Sequence, residues 1–280
     1  MTFHRLSPAI LTLLVFLLAQ GLGSLLLFGI WILVSPEFGE AIRAFFSGEA
    51  EGLPLLELMP ISVFSLILMS LDIIAVLGCH LCLHNIRFAT TLDATTVRWR
   101  PALLAAAAAI LGAMSISILT GGMELPEAMV QISLAMSHNI WGLITIVLVG
   151  PVSEELLFRE AIAGEMLRRG AAPWLAIGVS ALAFSAAHLN LAQGCYAFPL
   201  GILLGIIYYK TGGIVLTSLL HILNNGIVAV QLYADGTEAI ETSPAEWFGS
   251  ATLAQTFMVL FGALSIALMT LFWNRYNLCK

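Results

Sequence analysis

Long apolar runs broken by short polar loops dominate the chain, and their polar positions do not alternate with the two-residue period of a strand. A bilayer-crossing helix needs roughly 20 predominantly apolar residues, and by that measure the pattern predicts eight spans, at about 8–34, 60–83, 101–119, 139–167, 174–192, 195–209, 213–233 and 251–273. The sixth is short and the fourth is long. The first run continues well past the length of a signal-peptide core and reads as a membrane anchor. The stretch from Glu124 to His138 reads as a short helix lying in the interface. The predicted fold is all-α, a polytopic helical membrane protein of about eight transmembrane helices. Residues 1–138 hold spans one to three with their loops and residues 139–280 hold spans four to eight, within one integrated domain.

Composition sharpens the class. The 280 residues are 60% hydrophobic and only 10% charged, with a mean hydropathy of +0.98. Soluble domains carry about 25% charged residues. Outer-membrane barrels would show strands of alternating polarity, which are absent from these runs. No basic stripe interleaved with aromatics points to nucleic acid.

Charge sets an orientation. Arg5, Arg87, Arg98, Arg100, Arg168, Arg169, Lys210, Arg275 and Lys280 fall at the N-terminus, in every second loop and in the tail. The intervening loops carry Glu37, Glu40, Glu49, Glu51, Glu57, Glu124, Glu127, Asp235, Glu238, Glu241 and Glu246, with Arg43 as their one basic residue. Basic loops stay in the cytoplasm. The alternation therefore predicts two cytoplasmic termini and an even number of spans. The short loops suit a bacterial inner (cell) membrane.

Ionisable residues at membrane depth are costly, by about 2.5–3.5 kcal/mol even on lenient insertion scales, so they are paired or functional. The spans contain Asp72, Glu154, Glu155, Arg159, Glu160, His188, His221, Asn224 and Asn225. On an α-helix, residues four apart lie within about 40° of each other and residues five apart about 140° apart. Arg159 therefore faces Glu155 and neutralises it, while Glu154 is left as a candidate general base. Phe184 and His188 share a face of the fifth span, and His221 and Asn225 share a face of the seventh. A histidine and an amide brought to a buried carboxylate can hold one water or one metal ion. Three ligands of the His-His-Glu type suit zinc. Counted from the predicted helix ends, Glu154 lies nearer the basic-loop side and His188 nearer the acidic-loop side. Asp72 reads as an interhelical hydrogen bond or a partner of the site. The stretch Cys79-His80-Leu81-Cys82 reads as a helix end, because a single CxxC without a second ligand pair is weak; Cys195 and Cys279 complete the cysteines.

Three stretches together resemble a known family. EELLFR at Glu154–Arg159, FSAAH at Phe184–His188 and HILNN at His221–Asn225 resemble the motifs of the CPBP intramembrane proteases, which group type II CAAX prenyl endopeptidases with bacteriocin-processing and immunity proteins. The stretch from Gly201 to His221 also resembles the family's sixth and seventh spans, and Gly201 and Gly205 form a GxxxG face. The resemblance implies an intramembrane endopeptidase, a hydrolase with its active site inside the bundle. Its substrate would be a membrane-embedded or membrane-proximal polypeptide, and its other partner the bilayer. It implies Glu154 as general base, His188 as partner of the water or metal, and His221 and Asn225 as the groups that polarise the water and steady the oxyanion. Glu155 and Arg159 would support them. It leaves two mechanisms open, a zinc held by Glu154, His188 and His221, or a metal-free glutamate. Two other readings compete: a catalytically silent binding or immunity protein of the same fold, and a proton-coupled transporter. Against the transporter, the chain shows no inverted repeat.

Overall fold

The computed structural model describes residues 2–49 and 55–276, and among these there are helices and no strands. In chain order the principal helices are α1 (Thr2–Val34), α2 (Pro36–Ser47), α3 (Ile61–Leu83), α4 (Trp99–Thr120), α5 (Glu127–Ser137), α6 (Ile140–Arg168), α7 (Pro173–Ala187), α8 (Leu191–Thr211), α9 (Val215–Asp235) and α10 (Ala251–Arg275). Seven of them are long and apolar enough to cross a membrane: α1, α3, α4, α6, α8, α9 and α10. The protein is thus an all-α, polytopic integral membrane protein. Glu51, Cys279 and Lys280 lie outside the described residues.

The predicted fifth and sixth spans need correction. The fifth helix, α7, has 15 residues and ends at Ala187. The sixth, α8, has 21 and is not short. Their shared boundary lies in the polar turn His188–Asn190, where Leu189 adopts φ +52° and the Asn190 side chain accepts from the Gln193 backbone N–H at 3.0 Å. A capping asparagine starts a new helix there, and an apolar count alone had carried the fifth span across it. Counted from the basic-loop ends of their helices, Glu154 and His188 stand at similar depth. Glu154 lies fourteen residues from Arg168, and His188 fifteen from Pro173, so both stand about 20 Å from the basic-loop ends of their helices.

α7 and α8 pack closely and antiparallel. A Cβ added at Gly201 would sit 3.1 Å from Ala181 Cα, and one at Gly205 would sit 2.9 Å from Ile177 Cγ2. The GxxxG face therefore works as a close-approach surface for the preceding helix. Ser265 and Ser115 tie α10 to α4 through bonds of 2.7 and 2.8 Å to the Ala108 and Met258 carbonyls.

α6 forms the middle of the bundle. Every residue from Glu155 to Gly164 is buried. Two stretches of this helix, Ile144–Val149 and Glu155–Gly164, are π-helical. Leu157, Phe158, Ala161 and Ile162 pack against residues of α1, α3, α7 and α8 in one core, and a second core joins α4, α8, α9 and α10. α9 begins inside this mass: Ile214 is fully buried, and its N–H donates to Thr91 O at 2.9 Å.

The region after α1 holds a helix that the hydropathy pattern left as loop. α2 has Ser35 as N-cap, Pro36 in its first turn and Gly48 in the left-handed conformation at its end. Its Phe38 is fully buried against the upper parts of α1 and α3. The short helix expected between Glu124 and His138 is present as α5.

Candidate active site

Three helices bring the polar residues together. Glu154 and Glu155 come from the centre of α6, His221 from the second turn of α9, and His188 from the residue that ends α7. His221 stands between the two glutamates. Its Nδ1 lies 3.1 Å from Glu155 Oε1 and its Nε2 3.5 Å from Glu154 Oε2. A carboxylate accepts, so the Nδ1–H donates to Glu155.

The two carboxylates differ in surroundings. Glu155 has no exposed side-chain surface, and Arg159 Nε lies 3.2 Å from its Oε2. Glu154 keeps 30% of its side chain accessible and forms no salt bridge with an arginine among the described residues. Arg159 thus pairs with Glu155 and not with Glu154, as the four-residue spacing predicts. The α-helical angles of about 40° and 140° do not hold here, because the ladder is π-helical from Glu155 onward. With i to i+5 bonding, residues five apart are no longer on opposed faces.

Arg159 is fully buried, and none of its guanidinium nitrogens makes a hydrogen bond among the described residues. Its charge is met by Glu155 and by the face of Phe184, whose centroid lies 4.6 Å from Cζ. Such a contact is worth about 2 kcal/mol when desolvated. The same ring meets His188 edge-on at 5.0 Å, His221 at 5.6 Å and Phe158 at 5.4 Å. Phe184 is thus the apolar wall common to both histidines and the arginine. His188 Nδ1 lies 2.9 Å from the Phe184 carbonyl. A carbonyl can only accept, so Nδ1 carries the proton and Nε2 of the neutral ring is left as an acceptor.

Asn225 sits one turn beyond His221, and its Nδ2 donates to the Ile146 carbonyl at 3.0 Å. Asn224 donates to Asn225 Oδ1 at 3.2 Å and accepts from the Tyr196 hydroxyl at 2.7 Å. Asn225 is therefore anchored to α6, and no hydrogen bond among the described residues links it to either glutamate.

The donor set expected for zinc does not assemble. Glu154 and His221 meet, but among the described residues no three His, Cys, Asp or Glu side chains are grouped so that they could hold a metal ion.

The other polar residues have separate partners. Asp72 accepts from Gln20 Nε2 at 3.0 Å, an interhelical hydrogen bond between α3 and α1. Glu160 accepts from Arg168 Nη1 at 2.8 Å and from the Tyr208 hydroxyl at 2.6 Å, toward the basic-loop end of α6. His80 Nδ1 lies 3.0 Å from Ile86 O, and its ring lies against Phe88 at 4.7 Å. Cys79 is buried and Cys82 exposed, and both are free thiols. That stretch is the end of α3.

Two contributors escaped the sequence reading. Ser180 donates to the Phe158 carbonyl at 2.6 Å, and Phe184 had been noted only for its spacing from His188. Residues 180, 184 and 188 recur every four positions, which places them on one face of α7. That spacing was the available signal.

Comparison with known proteins bears on residues 136–227, which match the family model described as type II CAAX prenyl endopeptidase Rce1-like. No curated protein and no solved structure matches the chain. The matched stretch runs from the last residues of α5 into α9 and includes all three motifs and every residue of the cluster built around His221. Over residues 136–227, about a third of its length, the chain is similar to the Rce1-like type II CAAX prenyl endopeptidases, in agreement with the resemblance of its three motifs.

Proposed function

We propose that the protein is an intramembrane endopeptidase that hydrolyses a peptide bond of a membrane-embedded or membrane-proximal polypeptide with a glutamate-activated water. The observation that carries this reading is the position of His221 between a neutralised, buried Glu155 and a partly accessible Glu154. Glu155 fixes the imidazole through Nδ1 and directs Nε2 toward Glu154, as a carboxylate orients a catalytic histidine in hydrolases.

In this reading Glu154 takes a proton from a water whose second hydrogen is held by His188 Nε2. The water oxygen bonds to the scissile carbonyl carbon. The developing oxyanion accepts from the second amide hydrogen of Asn225, the first being bonded to Ile146 O, while the His221 ring, held by Glu155 through Nδ1, lines the site beside Glu154. The C–N bond then breaks, and the proton held by Glu154 passes to the leaving nitrogen. No step is routed through a metal. The basic-loop ends of the helices face the cytoplasm of a bacterial cell, with the shorter α7 as an eighth crossing and both termini on that side.

Purified protein in vesicles, incubated in ¹⁸O-water with membrane-anchored polypeptides, tests the reading. Hydrolysis places one ¹⁸O in the new carboxyl terminus of the product. Activity that survives a membrane-permeant chelator is expected. Loss of activity under chelation, restored by zinc, would replace the metal-free step. Absence of any labelled product across a broad polypeptide panel would favour a silent binding protein of the same fold.

A further inference from the structure

The widened turns of α6 are fastened from outside the helix. Three backbone carbonyls in or beside the reacting region receive side-chain donors from other elements. Asn225 of α9 reaches Ile146 O in the first π-helical stretch. Ser180 of α7 reaches Phe158 O at 2.6 Å in the second. Asn85, in the loop after α3, reaches Ala161 O at 3.3 Å and also donates to Thr12 Oγ1 of α1 at 2.9 Å. Ser180 and Asn85 are buried.

A π-helical turn spaces its side chains differently from an α-helical one, and such turns are frequent at functional sites. Here the second stretch begins at Glu155 and contains Arg159. The angle at which Glu155 meets both Arg159 and His221 is set within it. Phe158, whose carbonyl Ser180 holds, immediately precedes Arg159, and its ring packs on Phe184. Ser180 and Phe184 lie one turn apart on α7. One face of α7 therefore grips the backbone of α6 through a hydroxyl and its arginine through an aromatic ring.

We propose that Ser180 and Asn85 are positioning residues that hold the π-helical register of α6 through the Phe158 and Ala161 carbonyls, and thereby set Glu155 against Arg159 and His221. Neither residue touches the reacting atoms. The bearing on catalysis rests on the proteolytic reading above, but the register itself can be read without any substrate.

The chain contains a single Phe–Arg step, Phe158–Arg159. Protein labelled with carbonyl-¹³C phenylalanine and ¹³C,¹⁵N-arginine therefore gives one carbonyl–nitrogen correlation, which reports the hydrogen bond at Phe158 O. The same sample shows the Arg159 Nε–H, assigned by its loss in Arg159→Lys, which reports the pairing with Glu155. In Ser180→Ala both signals are expected to move. In Ser180→Thr, which keeps the hydroxyl, both are expected to stay near their wild-type positions. Asn85→Ala should move the Arg159 signal in the same direction as Ser180→Ala. If Ser180→Ala yields no folded protein, Ser180→Cys, with only a weak donor, carries the same comparison. An Arg159 Nε–H that stays at its wild-type position when the Phe158 correlation moves would overturn the proposal, because the bond would then be scaffold without influence on the register. A Phe158 correlation that does not move would overturn it as well. Where cleavage is measurable, Ser180→Ala should lower kcat by as much as about 10²-fold with KM unchanged, the cost of a displaced catalytic group, and Ser180→Thr should restore it. An unaltered kcat in Ser180→Ala would contradict the role in catalysis alone, and an inactive wild type would count against the proteolytic reading alone.

Discussion

Glu155 and His221 are joined at 3.1 Å between Oε1 and Nδ1, although they are 66 residues apart in the chain and on different helices. The contact gives the two adjacent glutamates different surroundings. Glu155 has one oxygen toward the imidazole and the other toward Arg159, so it is fully occupied. Its neighbour, Glu154, faces the second imidazole nitrogen and retains access to whatever enters the bundle.

Removing Glu155 should therefore harm the fold as well as the site. Glu155→Ala leaves Arg159 buried without a counter-charge, and breaking a buried pair in this way costs about 3–5 kcal/mol. Lower membrane abundance and a lower melting temperature in detergent are expected, along with lost activity. Normal abundance and activity for both Glu155→Ala and Arg159→Ala would show the pair to be dispensable.

Phe184 should act through its ring. Phe184→Leu keeps an apolar side chain but removes the contact with Arg159, worth about 2 kcal/mol when desolvated. A melting temperature below wild type is expected, and Phe184→Tyr should recover most of the loss. Equal melting temperatures for wild type and Phe184→Leu would contradict the ring's role as partner of the guanidinium.

The α7–α8 contact makes a separate prediction. Gly205→Leu forces a side chain into the space held by Ile177, and overpacking of this kind costs about 1–3 kcal/mol. The variant should melt earlier, whereas Gly178→Ala, with open space around its added carbon, should not. A Gly205→Leu protein as stable as wild type would mean that the two helices are not held at close approach.

Topology can be read with reporter fusions. The charge alternation predicts cytoplasmic signals at Arg100 and Lys280 and external signals near Glu51 and Glu241. A cytoplasmic signal at Glu241 would contradict the predicted orientation of α9 and α10.

Much of this was legible in the sequence because bilayers impose simple length and polarity rules. The long apolar runs located α1, α3, α4, α6, α9 and α10. The Glu155–Arg159 pairing is expected from a four-residue spacing, and His221 of the third motif meets both glutamates, whereas His188 meets the group through the Phe184 ring. What the sequence concealed depended on backbone geometry. The boundary between α7 and α8 is a capped turn at Leu189 and Asn190, within residues apolar enough to extend a span. The π-helical turns of α6 carry no proline or glycine at their centre that would announce them, and they changed the angles on which the pairing of Glu154 and Glu155 had been reckoned. The tethering of Asn225 to Ile146 could not be foreseen, because an amide has two donors and the sequence does not say which acceptor each will meet.

The central claim is that Glu154 is the base that activates water. The most direct measurement compares single-turnover cleavage of a membrane-anchored polypeptide by wild type and Glu154→Gln, in vesicles holding equal amounts of folded protein. Glutamine preserves the shape of the side chain but cannot accept the proton. A positioned general base contributes about 10²–10⁴-fold. The account predicts that the cleavage rate falls by at least that range while abundance and melting temperature stay at wild-type values. A Glu154→Gln protein that cleaves at close to the wild-type rate would contradict it.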